Sequence, residues 1–161
     1  FKKIKQTAVR FGDFVSSESC YNSIRGLKTL SIRLDKHQEN AYKIFEYLNS
    51  KSCVKKILFL PDKNNINHEL WKKYFKNGNG LITIAIEKKN KIEKFLDSLK
   101  LFKIGFSWGG FESLILPLNK LKPSIKNYKN SMFWFRIHVG LESTNDLIID
   151  LENGFRNYEK K

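Results

Sequence analysis

Between Ser23 and about Lys51, the apolar residues Leu34, Ala41, Ile44, Phe45 and Leu48 recur every three to four positions with charged residues between them. That period predicts one long amphipathic helix, with a break near Thr29. "VKKILFLP" (54–61) is rich in branched and aromatic residues and stops at a proline, so it reads as a strand. "NHELWKKYF" (67–75) predicts a short helix and "GLITIAI" (80–86) a strand. "NKIEKFLDSLK" (90–100) predicts a helix with Asn90 as N-cap and Ile92, Phe95, Leu96 and Leu99 facing inward. "LFKIGFS" and "FESLILP" read as two strands joined by a glycine-rich bend, and "FWFRIHVG" (133–140) as another strand beyond a polar, lysine-rich loop from about 118 to 131. A last helix follows from 143 to about 159, where Ser143 and Asp146 form a candidate capping box ahead of Leu147, Ile148, Leu151 and Phe155. Helices and strands alternate early and strands cluster later, which predicts an α/β (α+β) domain: a mainly antiparallel sheet with helices packed on one face.

With 161 residues, 41% of them hydrophobic, the chain can bury one core. It contains no repeat, and no linker long enough to divide it. No run approaches the roughly 18 to 20 apolar residues that span a bilayer, and "FKKIKQ" has the charges of a signal peptide without its apolar region, so a cytoplasmic product with no membrane partner is expected. The chain opens on Phe1 and not on Met, which points to a trimmed or partial product. Cys20 and Cys53 lack CxxC spacing, and His37, His68 and His138 lack metal-ligand spacing, so reduced thiols and no metal are expected. The net charge of +14 invites a nucleic-acid reading. Its distribution argues against one: 25 lysines to five arginines are spread along the whole chain among abundant Asn and Ile, as in the product of an AT-rich genome, with no RNP-like, helix-turn-helix or zinc-finger pattern.

Two stretches carry candidate chemistry. In "FWFRIHVG", strand alternation sets Phe133, Phe135, Ile137 and Val139 on one face, and Trp134, Arg136, His138 and Gly140 on the other. A guanidinium among aromatics is costly unless an anion meets it. That anion is either an internal carboxylate, Glu112 or Glu142, or a ligand. In "GFSWGGFESLILP" (105–117), the Ser107-Trp108-Gly109-Gly110 turn offers a hydroxyl, backbone N–H groups open to close approach and an indole wall. It reads either as an ordinary glycine turn with a buried tryptophan or, together with Arg136, as a pocket for a carboxylate-bearing small molecule.

"SWGGFESLILP", followed after a spacer by "FRIHVGLESTNDLIIDLENGF", resembles the carboxyl-terminal domain of the pyridoxal-phosphate (PLP) enzymes of cysteine and methionine metabolism, above all their cystathionine β-lyase branch. "RGLKTLSIRLDKHQENA" (25–41), "HELWKKYFKNGNGLITIAI" (68–86) and "KIEKFLDSLKLFKIGFSWGG" (91–110) extend the resemblance over nearly the whole chain. It implies the small domain of a fold-type I PLP enzyme, with residues 1–22 the end of an inter-domain segment, 23–161 the small domain, and the large cofactor-binding domain absent.

The resemblance further implies that Arg136 binds the substrate α-carboxylate, helped by Ser107 and the Trp108 backbone. Phe106 stands where β-lyases typically carry Tyr, and Trp108 where γ-acting members usually carry Leu, so the β-lyase branch leads while the missing hydroxyl leaves fine substrate preference open. The Schiff-base lysine of the family lies in a Ser/Thr-x-Thr-Lys context followed by Gly-His, which none of the 25 lysines has; Lys73-Tyr74 is the nearest imitation. No catalytic residue is therefore assigned within this chain, and PLP is expected only in the complete enzyme, a homotetramer by resemblance acting on cystathionine or related cysteine thioethers. A γ-acting member, a non-catalytic remnant, or a domain pairing with a separately encoded large domain are the alternatives.

Overall fold

The computed structural model describes residues 1–87, 92–118 and 132–159. Contacts divide the chain into two compact units, Phe1–Arg33 and Leu34–Lys161. The first contains α1 (Lys2–Arg10) and α2 (Ser17–Leu27), neither of which buries a residue. Ser16 caps α2, its hydroxyl oxygen accepting the Ser19 amide at 3.1 Å, with Glu18 in the first turn and Arg25 in the last to complement the helix dipole. The helix that follows, α3 (Leu30–Asn49), starts after a gap of two residues, so the expected break near Thr29 is where the chain interrupts.

The second unit is built on a five-stranded sheet in the order β1-β2-β5-β4-β3, made of β1 (Val54–Leu58), β2 (Leu81–Glu87), β3 (Lys103–Ile104), β4 (Leu114–Leu118) and β5 (Met132–His138). The pairs β1–β2, β2–β5 and β4–β5 are antiparallel. The core follows the alternation of the central strands. Ile82, Ile84 and Ile86 of β2, with Phe135, Ile137 and Val139 of β5 and its end, join Ala41, Ile44 and Leu48 of α3 and Leu147, Leu151 and Phe155 of α6 (Thr144–Glu159) in one cluster. Burying a side chain of this size is worth about 1.5–3 kcal/mol, so this cluster, and not helix propensity, holds α3 and α6 to the sheet. Leu34, expected inside, is 41% exposed.

The short helices behave as their patterns indicate. α4 (His68–Tyr74) and α5 (Ile92–Asp97) both form, and Phe95 and Leu99 are buried while Ile92 and Leu96 pack against the core. Asn90, and residues 119–131 where a polar loop is expected, lie outside the described residues. α5 and α6 approach closely at Gly154, where a Cβ would sit 2.9 Å from both Leu99 and Phe95. Buried Asp150 of α6 accepts the amides of Lys100, Leu101 and Phe102 at 2.7, 2.9 and 3.0 Å, so one carboxylate satisfies the chain as it leaves α5. The capping box at Ser143 and Asp146 is not formed among the described residues: Thr144 instead turns its hydroxyl onto Asn40 Oδ1 at 2.7 Å.

One topological feature differs from the sequence reading. β3 is only two residues long and runs parallel to β4, with Lys103 opposite Leu114 and Ile104 opposite Ile115. Residues 105–113 are thus no hairpin. They must leave one strand and return to the start of its parallel neighbour, which an Asn-Gly turn cannot do.

Candidate functional site

The loop that makes this return is laid along β5. Because β5 alternates, Arg136, His138 and Gly140 share a face, and each meets a successive part of the loop. Arg136 Nη2 donates to the carbonyls of Phe106 and Ser107 at 2.6 and 3.0 Å, with that of Gly105 at 3.5 Å. His138 Nε2 lies 3.1 Å from the Gly109 amide nitrogen and 3.0 Å from the Gly110 carbonyl oxygen. The Gly140 amide donates to the Ser113 hydroxyl at 2.8 Å, and Leu141 N–H reaches the Phe111 carbonyl at 2.8 Å. Glu142 ends the series, accepting the Ser113 amide and hydroxyl at 2.7 and 2.8 Å.

Two glycines make this alignment possible. Gly109 has φ +81°, a conformation L side chains rarely adopt. Gly140 packs so tightly on the loop that a Cβ would lie 2.3 Å from the Phe111 carbonyl oxygen and 2.7 Å from the Glu112 carbonyl carbon. From α3, Asn40 Nδ2 donates to the carbonyls of Gly140 and Glu142 at 3.0 Å each, and His37 Nδ1 meets the Val139 carbonyl at 2.8 Å.

The four residues implicated by sequence, Phe106, Ser107, Trp108 and Arg136, come together here. Arg136 is half-buried, with Thr83 and Leu116 directly opposite it on the neighbouring strands. No carboxylate meets it among the described residues: Glu142 is committed to Ser113, and the segments 88–91, 119–131 and 160–161 contain no Asp or Glu. The internal ion pair with Glu112 or Glu142 is therefore not the solution this fold adopts. Among the described residues, all hydrogen bonds of the guanidinium run from Nη2, while Nε is buried without a partner. Nor is this the turn of a buried tryptophan: Trp108 is 62% exposed and Phe106 82%. The Ser107 and Trp108 amides make no hydrogen bond among the described residues. A cation with unspent donors beside free backbone amides and an exposed indole can receive a small anion.

Burial holds the His138 imidazole below its usual pKa, opposed by its hydrogen bond to Gly110 and assisted by nearby His37. His138, Ser113 and Gly140 are the site residues that sequence reasoning left without a role, and Glu142, expected as a possible partner of Arg136, holds Ser113 instead. The signal available was the two-residue spacing of Arg136, His138 and Gly140, read there only as a strand face.

Comparison with known proteins decides the family. A model of the Cys/Met metabolism PLP-dependent enzymes matches residues 1–156. The chain belongs to this family. It is 37% identical over 156 residues to the L-alanine/L-glutamate racemase of Wolbachia pipientis wMel, covering 94% of this chain and 39% of that one. It is 32% identical over 164 residues to the cystathionine beta-lyase MetC of Escherichia coli K12, covering 96% and 41%. Among solved structures, cystathionine gamma synthase from Xanthomonas oryzae pv. oryzae superposes with a TM-score of 0.81 at 28% identity, over 93% of this chain and 41% of that one. The chain thus spans about two fifths of the length of these relatives.

The family is PLP-dependent, and the residues gathered at the 105–113 loop do not by themselves form a cradle for that cofactor. The loop and Arg136 present one guanidinium and backbone amides. The amines of Lys36, Lys43, Lys51, Lys55 and Lys73 are engaged elsewhere, at Glu39, Glu152, Ser52 and Tyr74, and no lysine amine is bonded at this site among the described residues.

Proposed function

We propose that this chain supplies the substrate-carboxylate site of a PLP-dependent carbon–sulfur β-lyase acting on cystathionine or a related cysteine thioether. The observation that supports it best is the Arg136 guanidinium, half-buried against the 105–113 loop, unpaired with any carboxylate among the described residues, and with Nε lacking a partner. On this reading Arg136 and the free Ser107 and Trp108 amides hold the α-carboxylate, which fixes the orientation of the substrate Cα–H bond. The cofactor, when bound, supplies stabilisation of negative charge at Cα, and is held by residues of a large domain outside this chain. The complete enzyme on this reading is cytoplasmic and homotetrameric; among the described residues no helix is long and apolar enough to cross a membrane.

A second reading, an amino-acid racemase, is favoured by the 37% identity to the Wolbachia protein of that name. Both chemistries need an anchored α-carboxylate and differ in whether a leaving group departs from Cβ. A γ-acting enzyme remains the third member of the set, since a cystathionine gamma-lyase of Macaca fascicularis is 36% identical over 152 residues. Pairing with a separately encoded large domain is the non-catalytic alternative.

The test begins with the coding sequence upstream of Phe1, where this reading expects the lysine motif. The complete enzyme is then assayed for pyruvate release from cystathionine and for racemisation of L-alanine. Arg136→Lys keeps the charge but loses the planar fork, and charged hydrogen bonds are worth roughly 1.5–3 kcal/mol, so kcat/KM should fall about 10- to 150-fold with cofactor absorbance unchanged. Trp108→Leu should shift preference among thioethers while leaving the carboxylate anchored. A less than twofold effect of Arg136→Lys would refute the anchor, and racemisation without pyruvate would move the protein to the second reading.

A further inference from the structure

We propose that His138 is the positioning residue of the site: it registers the 105–113 loop on β5 and so presents the Ser107 and Trp108 amides beside Arg136. The second half of this statement rests on the carboxylate-anchor reading above, while the first rests on geometry alone.

The loop has no regular backbone pairing of its own. Its beginning is tied by Arg136 to the Phe106 and Ser107 carbonyls, and its end by Glu142 to Ser113. Leu141 N–H also holds the Phe111 carbonyl, so the stretch left between the ties is Trp108, Gly109 and Gly110, two of them glycines with the widest choice of backbone conformations. The one side chain that bonds this middle stretch among the described residues is His138, at the Gly109 amide and the Gly110 carbonyl. Its ring is itself fixed. His138 is 2% exposed and its ring centroid lies 5.0 Å from that of His37, also 2% exposed. Gly80 closes in from β2's leading end, where a Cβ would sit 3.1 Å from both Cε1 and Nδ1 of the imidazole.

The same nitrogen faces a donor and an acceptor. An unprotonated Nε2 accepts from Gly109 N–H, and a protonated Nε2 donates to the Gly110 carbonyl; one nitrogen cannot do both at once. In each state the ring holds the loop at one of two neighbouring glycines, so His138 grips the turn through either tautomer. An apolar residue of similar size would fill the space and hold neither. The other charged or titratable groups around the imidazole are His37 from α3, Arg136 from β5 and Glu142 from the segment after β5. None of them offers the Gly109 amide an alternative partner in this structure.

The experiment uses the full 161-residue chain, 15N-labelled, with His138→Phe and His138→Gln beside the unsubstituted protein. Amide exchange at Gly109 and Gly110 is measured relative to core amides of β2, and sodium acetate is titrated against sodium chloride at constant ionic strength while the Ser107, Trp108 and Arg136 signals are followed. Phe should lose protection at Gly109 about five- to tenfold beyond any change in β2, the factor one hydrogen bond of ordinary net strength carries, and should lose the acetate response; Gln, which both accepts and donates, should restore both. Equal loss at Gly109 and in β2 would mean a merely structural histidine and overturn the proposal, as would full protection at Gly109 in the Phe variant. Should the Phe variant fail to fold, the imidazole 15N shifts of the unsubstituted protein decide. Movement of the Gly109 amide in step with the His138 titration supports the proposal, and a Gly109 amide indifferent to it overturns it. An unsubstituted chain whose Gly109 follows His138 but whose Ser107 and Trp108 ignore acetate would sink the carboxylate reading and leave the registering role standing.

Discussion

Glu152 shows what a single side chain contributes outside the site. Its carboxylate takes the Lys51 amine and the Tyr47 hydroxyl, the latter at 2.6 Å, and lies 3.4 Å from Arg156 Nε. The Lys51 hydrogen bond first, then that of Tyr47, hold its pKa at about 2 against the ordinary 4.5. A depressed carboxylate pKa means that the folded state binds fewer protons than the unfolded one between those values. The stabilisation is therefore fully present above about pH 4.5 and is lost as the pH falls towards 2. The side chain is 30% exposed, so solvent reduces the gain to about 1 kcal/mol, and Glu152→Gln should lower Tm by roughly 2–4 °C at pH 7. Thermal melts of both proteins at pH 7 and pH 3 check this: the gap between them should narrow at the lower pH, and a gap that stays constant would assign the effect to packing.

The 105–113 loop is the element on which the candidate site depends, and the glycines in it and against it can be ranked. A methyl at Gly140 meets backbone carbonyl groups that cannot move without displacing the loop, so Gly140→Ala should cost about 1–3 kcal/mol, the usual toll of overpacking. Gly110 has open space around a Cβ and no positive φ, so Gly110→Ala should lie within about 0.5 kcal/mol of neutral. Gly109→Ala should fall between them, at about 1 kcal/mol, from its φ of +81°. Urea unfolding of the three variants gives the order directly. A Gly140→Ala protein as stable as Gly110→Ala would mean that the loop is not held against β5 in solution.

Across the whole molecule, the conspicuous surface belongs to the Phe1–Arg33 unit. Phe1, Ile4, Phe11, Phe14 and Val15 are 100%, 74%, 84%, 82% and 69% exposed, and none of the residues of α1 and α2 is buried. Large apolar side chains exposed in this number within one short unit mark an interaction face. The 161-residue chain should self-associate with an apparent mass that rises with concentration above 19.0 kDa, and Phe11→Ser with Phe14→Ser should lower that mass. Light scattering reads the outcome, and a monodisperse 19.0 kDa species in both proteins would rule out an active apolar face.

Local pattern alone was enough for most of the architecture. The 3.6-residue period located α3 and α6, the alternation in "FWFRIHVG" assigned the two faces of β5, and the glycines of 109–110 announced a loop, because each of these is a property of residues near one another in the chain. The pairing of Arg136 with the Phe106–Ser107 turn also rested on recognised sequence, supported by a strand face that alternation already defined. What the sequence left open depends on residues about 10 to 100 positions apart, outside the reach of any local pattern. Whether Arg136 meets Glu112, Glu142 or a free loop depends on the Ser113 contacts that occupy Glu142, and these exist only once β4 and β5 are paired. The parallel run of β3 beside β4, the seat of His138 against His37 and Gly80, and the threefold amide contact of Asp150 follow from the same cause. Side-chain chemistry decides which partners are acceptable, but only the closed sheet and its packed helices bring one of them within hydrogen-bonding distance.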